Sequence, residues 1–219
     1  MTISWFGHAS FRLSAKGGSA SGGETTTVLF DPFSKEIGLR PPRIHDTIVL
    51  VSHEHFDHNN IEGAGPETFI IRSPGEYEKS GIQVVGVLSE HDNTGGTERG
   101  LNTMYVVKME DIRVCHLGDI GQYSLRDEQV EAIGEIDVLL VPVGGTYTVD
   151  GSQAMELVKQ LEPKIVIPMH YKIPGLTIAL DGPEKFLKEV GIKPQEVENL
   201  KIVAKNLPAE DMQVYTFKI

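Results

Sequence analysis

Short apolar runs rich in β-branched and aromatic side chains recur along the first 120 residues, each broken after four to six positions by glycine, proline or polar residues. Ile3–Phe6, Ser10–Ser14, Thr26–Phe30, Thr47–Val51, Thr68–Ile71, Gln83–Leu88, Thr103–Lys108 and Asp111–His116 are therefore expected to be strands. Ala15–Gly23 is a low-complexity, glycine- and serine-rich stretch with strands on both sides, the composition of a hairpin tip and not of an interdomain linker.

Beyond residue 120 the pattern changes to alternating helix and strand. Leu125–Ile133 predicts a helix and Val138–Val141 a buried strand. Ser152 is a natural N-cap for a helix that carries Ala154, Met155, Leu157, Val158 and Leu161 on one face and is closed by Pro163. Ile165–Ile167 follows as a strand of parallel type, Pro183 opens a helix through Val190, and Leu200–Ala204 and Gln213–Ile219 read as final strands. Each half mixes strands with helices, which predicts two sheets packed face to face with helices outside, and the whole chain, 1–219, as one domain.

The strand Thr47–Val51 runs into His53-Glu54-His55-Phe56-Asp57-His58, which places three histidines and one aspartate within six positions. Imidazole nitrogen and carboxylate oxygen are ligands for zinc, and also suit manganese or iron. Such groups directly after a buried strand need a shared partner to offset their desolvation. Asp31, His91, His116, Asp119 and His170 also fall at or just after strand ends, where ligand sites collect in α/β architectures.

Composition narrows the function. Hydrophobic content of 40% with 23% charged residues is that of an ordinary globular protein. No apolar stretch reaches membrane-spanning length, and the opening residues lack the basic-then-apolar pattern of a signal peptide, so no membrane association is expected. The single cysteine, Cys115, forbids an intramolecular disulfide and suits a reducing cytoplasm. A formal net charge of −11 disfavours nucleic acid as a partner. It is compatible with a small anion, because two bound divalent cations reverse the local field. Nothing in the sequence sets an oligomeric state.

The H-x-H-x-D-H motif, the later His91, the aspartate of His116-Leu117-Gly118-Asp119 and His170 in Pro168-Met169-His170-Tyr171 together resemble the ligand set of the metallo-β-lactamase superfamily. The openings Gly7-His8-Ala9-Ser10, Leu29-Phe30-Asp31-Pro32-Phe33 and Ser73-Pro74-Gly75-Glu76-Tyr77-Glu78 are similar to its uncharacterised, lactonase-like bacterial branch, with the resemblance running from about residue 3 to 175. It implies a four-layer αβ/βα sandwich of two mixed sheets with external helices and a site for two divalent ions. By the same resemblance His53, His55 and His91 hold the first ion, Asp57, His58 and His170 the second, and Asp119 bridges both. His116 competes with His91 for the first ion. Otherwise it lies behind the ligands, as Asp31 and His8 do, with Asp31 supporting the ligand loop. Flavin-linked di-iron reductases of this fold carry glutamate where this chain has His55, which weakens a redox reading.

Zinc is the first choice of metal, with manganese or iron next. Two ions sharing a water lower its pKa towards roughly 7 and polarise the scissile group, and Asp57 would direct the hydroxide. The expected activity is hydrolysis of a small ester, lactone or phosphodiester. A nuclease of the same fold, or a metal-binding protein with little turnover, are the alternatives. The rim loops Ser73–Ser80, Glu90–Gly100, Gly144–Ser152 and Tyr171–Thr177 are polar and glycine-rich. They predict a small, open mouth without a large apolar slot for a lipid chain, with Lys172, Arg99 and Tyr147 as candidate contacts to a small polar or anionic substrate.

Overall fold

The computed structural model describes residues 1–16 and 24–218; most of the predicted hairpin tip and the last residue lie outside them. The elements in chain order are strands β1 (Thr2–Gly7), β2 (Ser10–Lys16), β3 (Thr25–Phe30), β4 (Ile48–Leu50), β5 (Phe69–Ile71), β6 (Gly75–Lys79), β7 (Ile82–Glu90), β8 (Leu101–Met109) and β9 (Ile112–His116), then α1 (Asp127–Ile133), β10 (Val138–Pro142), α2 (Gly151–Leu161), β11 (Ile165–Met169), α3 (Glu184–Val190), β12 (Gln195–Val197), β13 (Leu200–Lys201) and β14 (Gln213–Phe217). They form a 6-stranded sheet, β13-β1-β2-β3-β4-β5, and an 8-stranded sheet, β12-β14-β11-β10-β9-β8-β7-β6. Both are mixed: β3-β4-β5 and β9-β10-β11-β14-β12 are parallel, the remaining pairs antiparallel.

Period-2 alternation sorts the apolar side chains into layers. Val28 and Phe30, Ile48 and Leu50, Val138 and Leu140, and Ile165, Ile167 and Met169 meet in one core between the sheets. The intervening Leu139, Val141 and Val166 point the other way, into a second core with Ile133 of α1, Ala154, Leu157 and Val158 of α2 and Phe186 of α3. On the outer face of the smaller sheet, Leu29, Val49 and Val51 pack against Phe6, Ile44, Ile61 and Ile70. The architecture is thus the α/β sandwich of two mixed sheets with external helices, the described helices lying outside the larger sheet. The strands of its parallel centre are buried on both faces, so they read as continuous apolar runs.

Several boundaries differ from expectation. The helix expected to begin at Ser152 is capped by Asp150, whose Oδ1 accepts from the N–H groups of Ser152 and Gln153 at 2.9 and 3.1 Å while Gln153 Oε1 accepts from Asp150 N–H. The carboxylate satisfies two orphan donors, and Ser152 becomes a first-turn residue. Asp150→Ala is accordingly expected to cost about 1 kcal/mol, read as a fall of about 2–4 °C in Tm. Ser73–Ser80, expected as a rim loop, contains β6, paired antiparallel with β7. Leu200–Ala204 yields only the two residues of β13 before a 3-10 turn at Ala204–Asn206.

Candidate metal centre

Strand direction brings the polar residues to one edge. β7 and β9 are both antiparallel to β8, and β10 and β11 run parallel to β9, so the carboxyl ends that deliver His91, Asp119 and His170 share one side of the larger sheet. In the smaller sheet β1, β3 and β4 are aligned in the same way, and their ends deliver His8, Asp31 and the 52–58 loop. The two edges meet directly: His170 N–H donates to the carbonyl of His8 at 3.1 Å. Asp31, His8 and His170 all take left-handed backbone conformations (φ 41°, 55° and 51°), turning the chain sharply as each strand ends.

Asp31 organises the ligand loop. Its buried carboxylate accepts from Ser52 N–H at 2.8 Å, Ser52 Oγ–H at 2.7 Å and His58 Nδ1 at 3.0 Å. Because the single hydroxyl proton of Ser52 goes to Asp31, Ser52 Oγ accepts from His53 Nδ1–H at 2.9 Å, and His53 Nε2 is left with its lone pair facing the site. That nitrogen is 3.0 Å from His55 Nδ1, which is 3.2 Å from His91 Nε2. Burial, reinforced by the positive charge on His58, pushes His53 down to about 2, and burial also lowers His91. Both are therefore neutral donors at physiological pH, with lone pairs that need a common cation.

A second cluster adjoins the first. Asp119 Oδ2 is 3.1 Å from His170 Nε2, 3.3 Å from His58 Nε2 and 3.6 Å from His91 Nε2. Asp57 Oδ2 is 3.6 Å from His58 Nε2 and 3.1 Å from His8 Nε2. Potential donor atoms lie within 4.8 Å of one another in three groups: His53, His55 and His91; His53, His58 and Asp119; and His8, Asp57, His58 and His170. Burial opposes charge on Asp119, but His170 and His58 hold it well below the usual carboxylate range. Burial likewise opposes charge on His58, which Asp119 and Asp31 nonetheless raise well above an ordinary imidazole. His58 Nε2 and Asp119 Oδ1 are buried without hydrogen-bond partners. Orphaned donor atoms of these types, converging around an ionised carboxylate, fit divalent cations.

The supporting residues include some that sequence reasoning missed. Asp119 N–H donates to Asn102 Oδ1 at 3.0 Å, while Asn102 Nδ2 donates to Leu117 O and Ser89 Oγ; an asparagine buried near the start of β8 was the available signal. His116 has both ring nitrogens engaged by backbone: Gly118 N–H donates to Nδ1 at 3.0 Å and Nε2 donates to Ala9 O at 2.8 Å. Its ring stacks on Phe30, 4.7 Å away and within 5° of parallel. Of the two histidines considered for the first cluster, His91 is the one that faces it.

A β-lactamase superfamily domain matches residues 2–170 of the sequence. The chain belongs to the metallo-β-lactamase superfamily. It is 30% identical over 214 residues to a UPF0173 metal-dependent hydrolase of Thermoplasma acidophilum, covering 85% of this chain and 89% of that one. A UPF0173 protein of Pyrococcus furiosus is 32% identical, with 87% and 90% covered. A solved structure of a superfamily protein from Thermotoga maritima superposes with a TM-score of 0.78 at 34% identity, over 99% of this chain and 97% of that one. The described residues contain no helix long and apolar enough to cross a membrane.

In this superfamily member the metal centre opens into a cleft of about 470 Å³, whose walls include Phe56, Arg99, Tyr147, Thr177, Ile178 and Ala179. Arg99 and Tyr147 both line this cleft. The guanidinium lies 5.1 Å over the Tyr147 ring and donates to Thr146 O at 3.2 Å. Lys172 does not line the cleft: Tyr171 and Ile173 are buried on either side of it, and alternation turns Lys172 outward. Phe56, Ile178 and Ala179 give the mouth an apolar wall that the mostly polar rim loops did not announce. Asp92 was overlooked. Its carboxylate accepts five hydrogen bonds of 2.7–2.9 Å, from the backbone N–H groups of Thr94, Gly96, Glu98 and Arg99 and from the Thr94 hydroxyl. The loop that carries Arg99 is thereby closed on itself.

Proposed function

We propose that this protein is a dinuclear metal-dependent hydrolase of small esters, lactones or phosphodiesters. The observation that carries this is the placement of Asp119 Oδ2 within 3.1–3.6 Å of His58, His91 and His170, where one carboxylate joins two clusters of donors. His53, His55 and His91 would hold one ion and Asp57, His58 and His170 the other, with Asp119 between them. Mixed nitrogen and oxygen donors favour zinc, then manganese or iron. When bound, the ions would supply Lewis acidity for a water nucleophile and for the scissile group.

The chain's own residues supply the rest. Burial opposes ionisation of Asp57, yet the hydrogen bond from His8 and the charge of His58 keep it below the usual carboxylate range. It therefore stays ionised at neutral pH and orients a water by accepting its hydrogen bond, while being too weak a base to take the proton outright. Burial and the neighbouring His170 push His8 down to about 4, so it is neutral and donates Nε2–H to Asp57. That bond fixes the direction of the second Asp57 oxygen. Tyr147 and solvent are available as proton donors for a leaving group, whereas both nitrogens of His116 are occupied by backbone groups. A net charge of −11 supports a small-molecule substrate over nucleic acid, and the buried free thiol of Cys115 suits a cytoplasmic location.

A panel of chromogenic esters, lactones and phosphodiesters, assayed with metal-loaded and chelator-treated protein, tests the reading; no chelator-sensitive turnover on any of them would remove it. With a substrate in hand, Asp57→Asn is expected to lower kcat about a hundredfold while most of the metal is retained. An unchanged rate would take Asp57 out of the mechanism.

A further inference from the structure

Large apolar side chains left exposed among the described residues are Phe56 (57%), Leu88 (44%), Leu101 (55%), Tyr123 (48%), Tyr147 (38%) and Val203 (51%). Their distribution is uneven. Phe56 and Tyr147 line the metal cleft, and Leu88 and Leu101 line a second groove of about 390 Å³ beside it. The two hollows have His55 and Arg99 in common. Leu88 and Leu101 belong to one face of the β7–β8 pair, where Leu88 is opposite Thr103 and Leu101 opposite Glu90. Both are set diagonally on a surface whose position next to a buried polar site calls for an explanation.

Charge is placed with similar economy. Two arginines line these hollows. Arg72 is neutralised by Glu54 at 2.9 Å, forming part of the groove wall. Arg99 has no carboxylate partner among the described residues; it is held by the Tyr147 ring, by Thr146 O and by the loop folded around Asp92. On a chain of net charge −11, an unpaired guanidinium fixed at the junction of two clefts is a built anion anchor.

We propose that the two hollows form one binding track for an anionic ester with an apolar arm. The scissile group lies at the metal centre, the negative charge on Arg99, and the arm over Leu88 and Leu101. Phe56, Tyr147 and Ile178 enclose the opposite end. This rests on the hydrolase reading above and specifies its substrate class, with Arg99 and the two leucines as specificity-determining residues.

Binding of inert analogues tests the proposal separately from turnover. Methyl-alkyl phosphinates carry one negative charge and no ester bond, and the corresponding dimethyl-alkyl phosphine oxides are neutral. Both series, with arms from methyl to hexyl, are to be titrated calorimetrically into the metal-loaded protein. Phosphinate affinity is expected to rise about two- to fourfold per methylene and to exceed that of the matching oxide about tenfold or more. Leu88→Ser combined with Leu101→Ser, both at exposed positions where substitution is well tolerated, flattens the dependence on arm length and leaves dimethylphosphinate affinity unchanged. Arg99→Ala reduces the preference for the anion to what the metal ions alone supply, and Arg99→Lys restores part of the loss. Affinity independent of arm length, a slope that survives the serine pair, oxides bound as tightly as phosphinates, or an anion preference unchanged in Arg99→Ala would each overturn the proposal. So would sedimentation showing a dimer that the serine pair dissociates, since a second copy of the chain would then own the groove. A negative hydrolysis panel with these binding trends intact would instead remove the catalytic reading alone.

Discussion

Asp119→Ala is expected to reduce hydrolysis about 10³–10⁴-fold and to lower metal content from up to two ions per chain to one or none. Among the described residues, no other side chain stands within 3.1–3.6 Å of imidazole nitrogens from three separate elements, the 52–58 loop, the end of β7 and the end of β11. Without it, His58 and His170 lose the charge that draws a cation between them. The seven candidate donors exceed what one tetrahedral ion takes, so elemental analysis of the wild type is expected to exceed one ion per chain. His53→Ala is the companion variant and should empty chiefly the cluster with His55 and His91. If both variants kept a full complement of metal, the assignment of the centre would fail.

A large effect without any change of charge is expected from Gly144→Ala. A Cβ at Gly144 would stand 2.2 Å from the carbonyl oxygen of His170 and 3.1 Å from Tyr171 Cα. These are backbone atoms of the segment that delivers a ligand, so no side chain can swing aside to make room. A cost of about 3 kcal/mol is expected, a drop of about 6–12 °C in Tm, together with metal loss from the His170 cluster. Gly65→Ala, where a Cβ meets nothing within 4 Å, should stay within about 0.5 kcal/mol of wild type. Equal melting temperatures and metal contents for the two variants would show that the close approach is not limiting.

Much of this was legible in the residues. The short, β-branched apolar runs of β10 and β11 read as strands buried on both faces, and the H-x-H-x-D-H cluster after β4 declares its chemistry because so many donors cannot share a buried turn without a partner. Elements with weak patterns were missed for physical reasons. β6, Gly-Glu-Tyr-Glu-Lys, is an edge strand with largely exposed side chains, so it has no apolar face to betray it. β12, of three residues, is too short to show a period. Asn102 and Asp92 act through backbone groups far from them in sequence or folded back on them, and a linear pattern does not encode such bonds. Phe56 is a single apolar residue in a polar loop, and only the fold reveals that it walls the cleft. Lys172 was misplaced because its proximity to His170 in sequence says nothing of which side of the turn it faces.

The hydrogen bonds gathered by Asp92 make residues 93–99 a cassette. Its conformation is set from within, by donors from Thr94, Gly96, Glu98 and Arg99, and not by the ligands. Exchanging the tip while keeping Asp92 and its donor positions should therefore change what the cleft accepts and leave the ligand histidines in register. In evolutionary terms, a lineage could drift between substrates by editing one short loop, without passing through forms that have lost the metal centre.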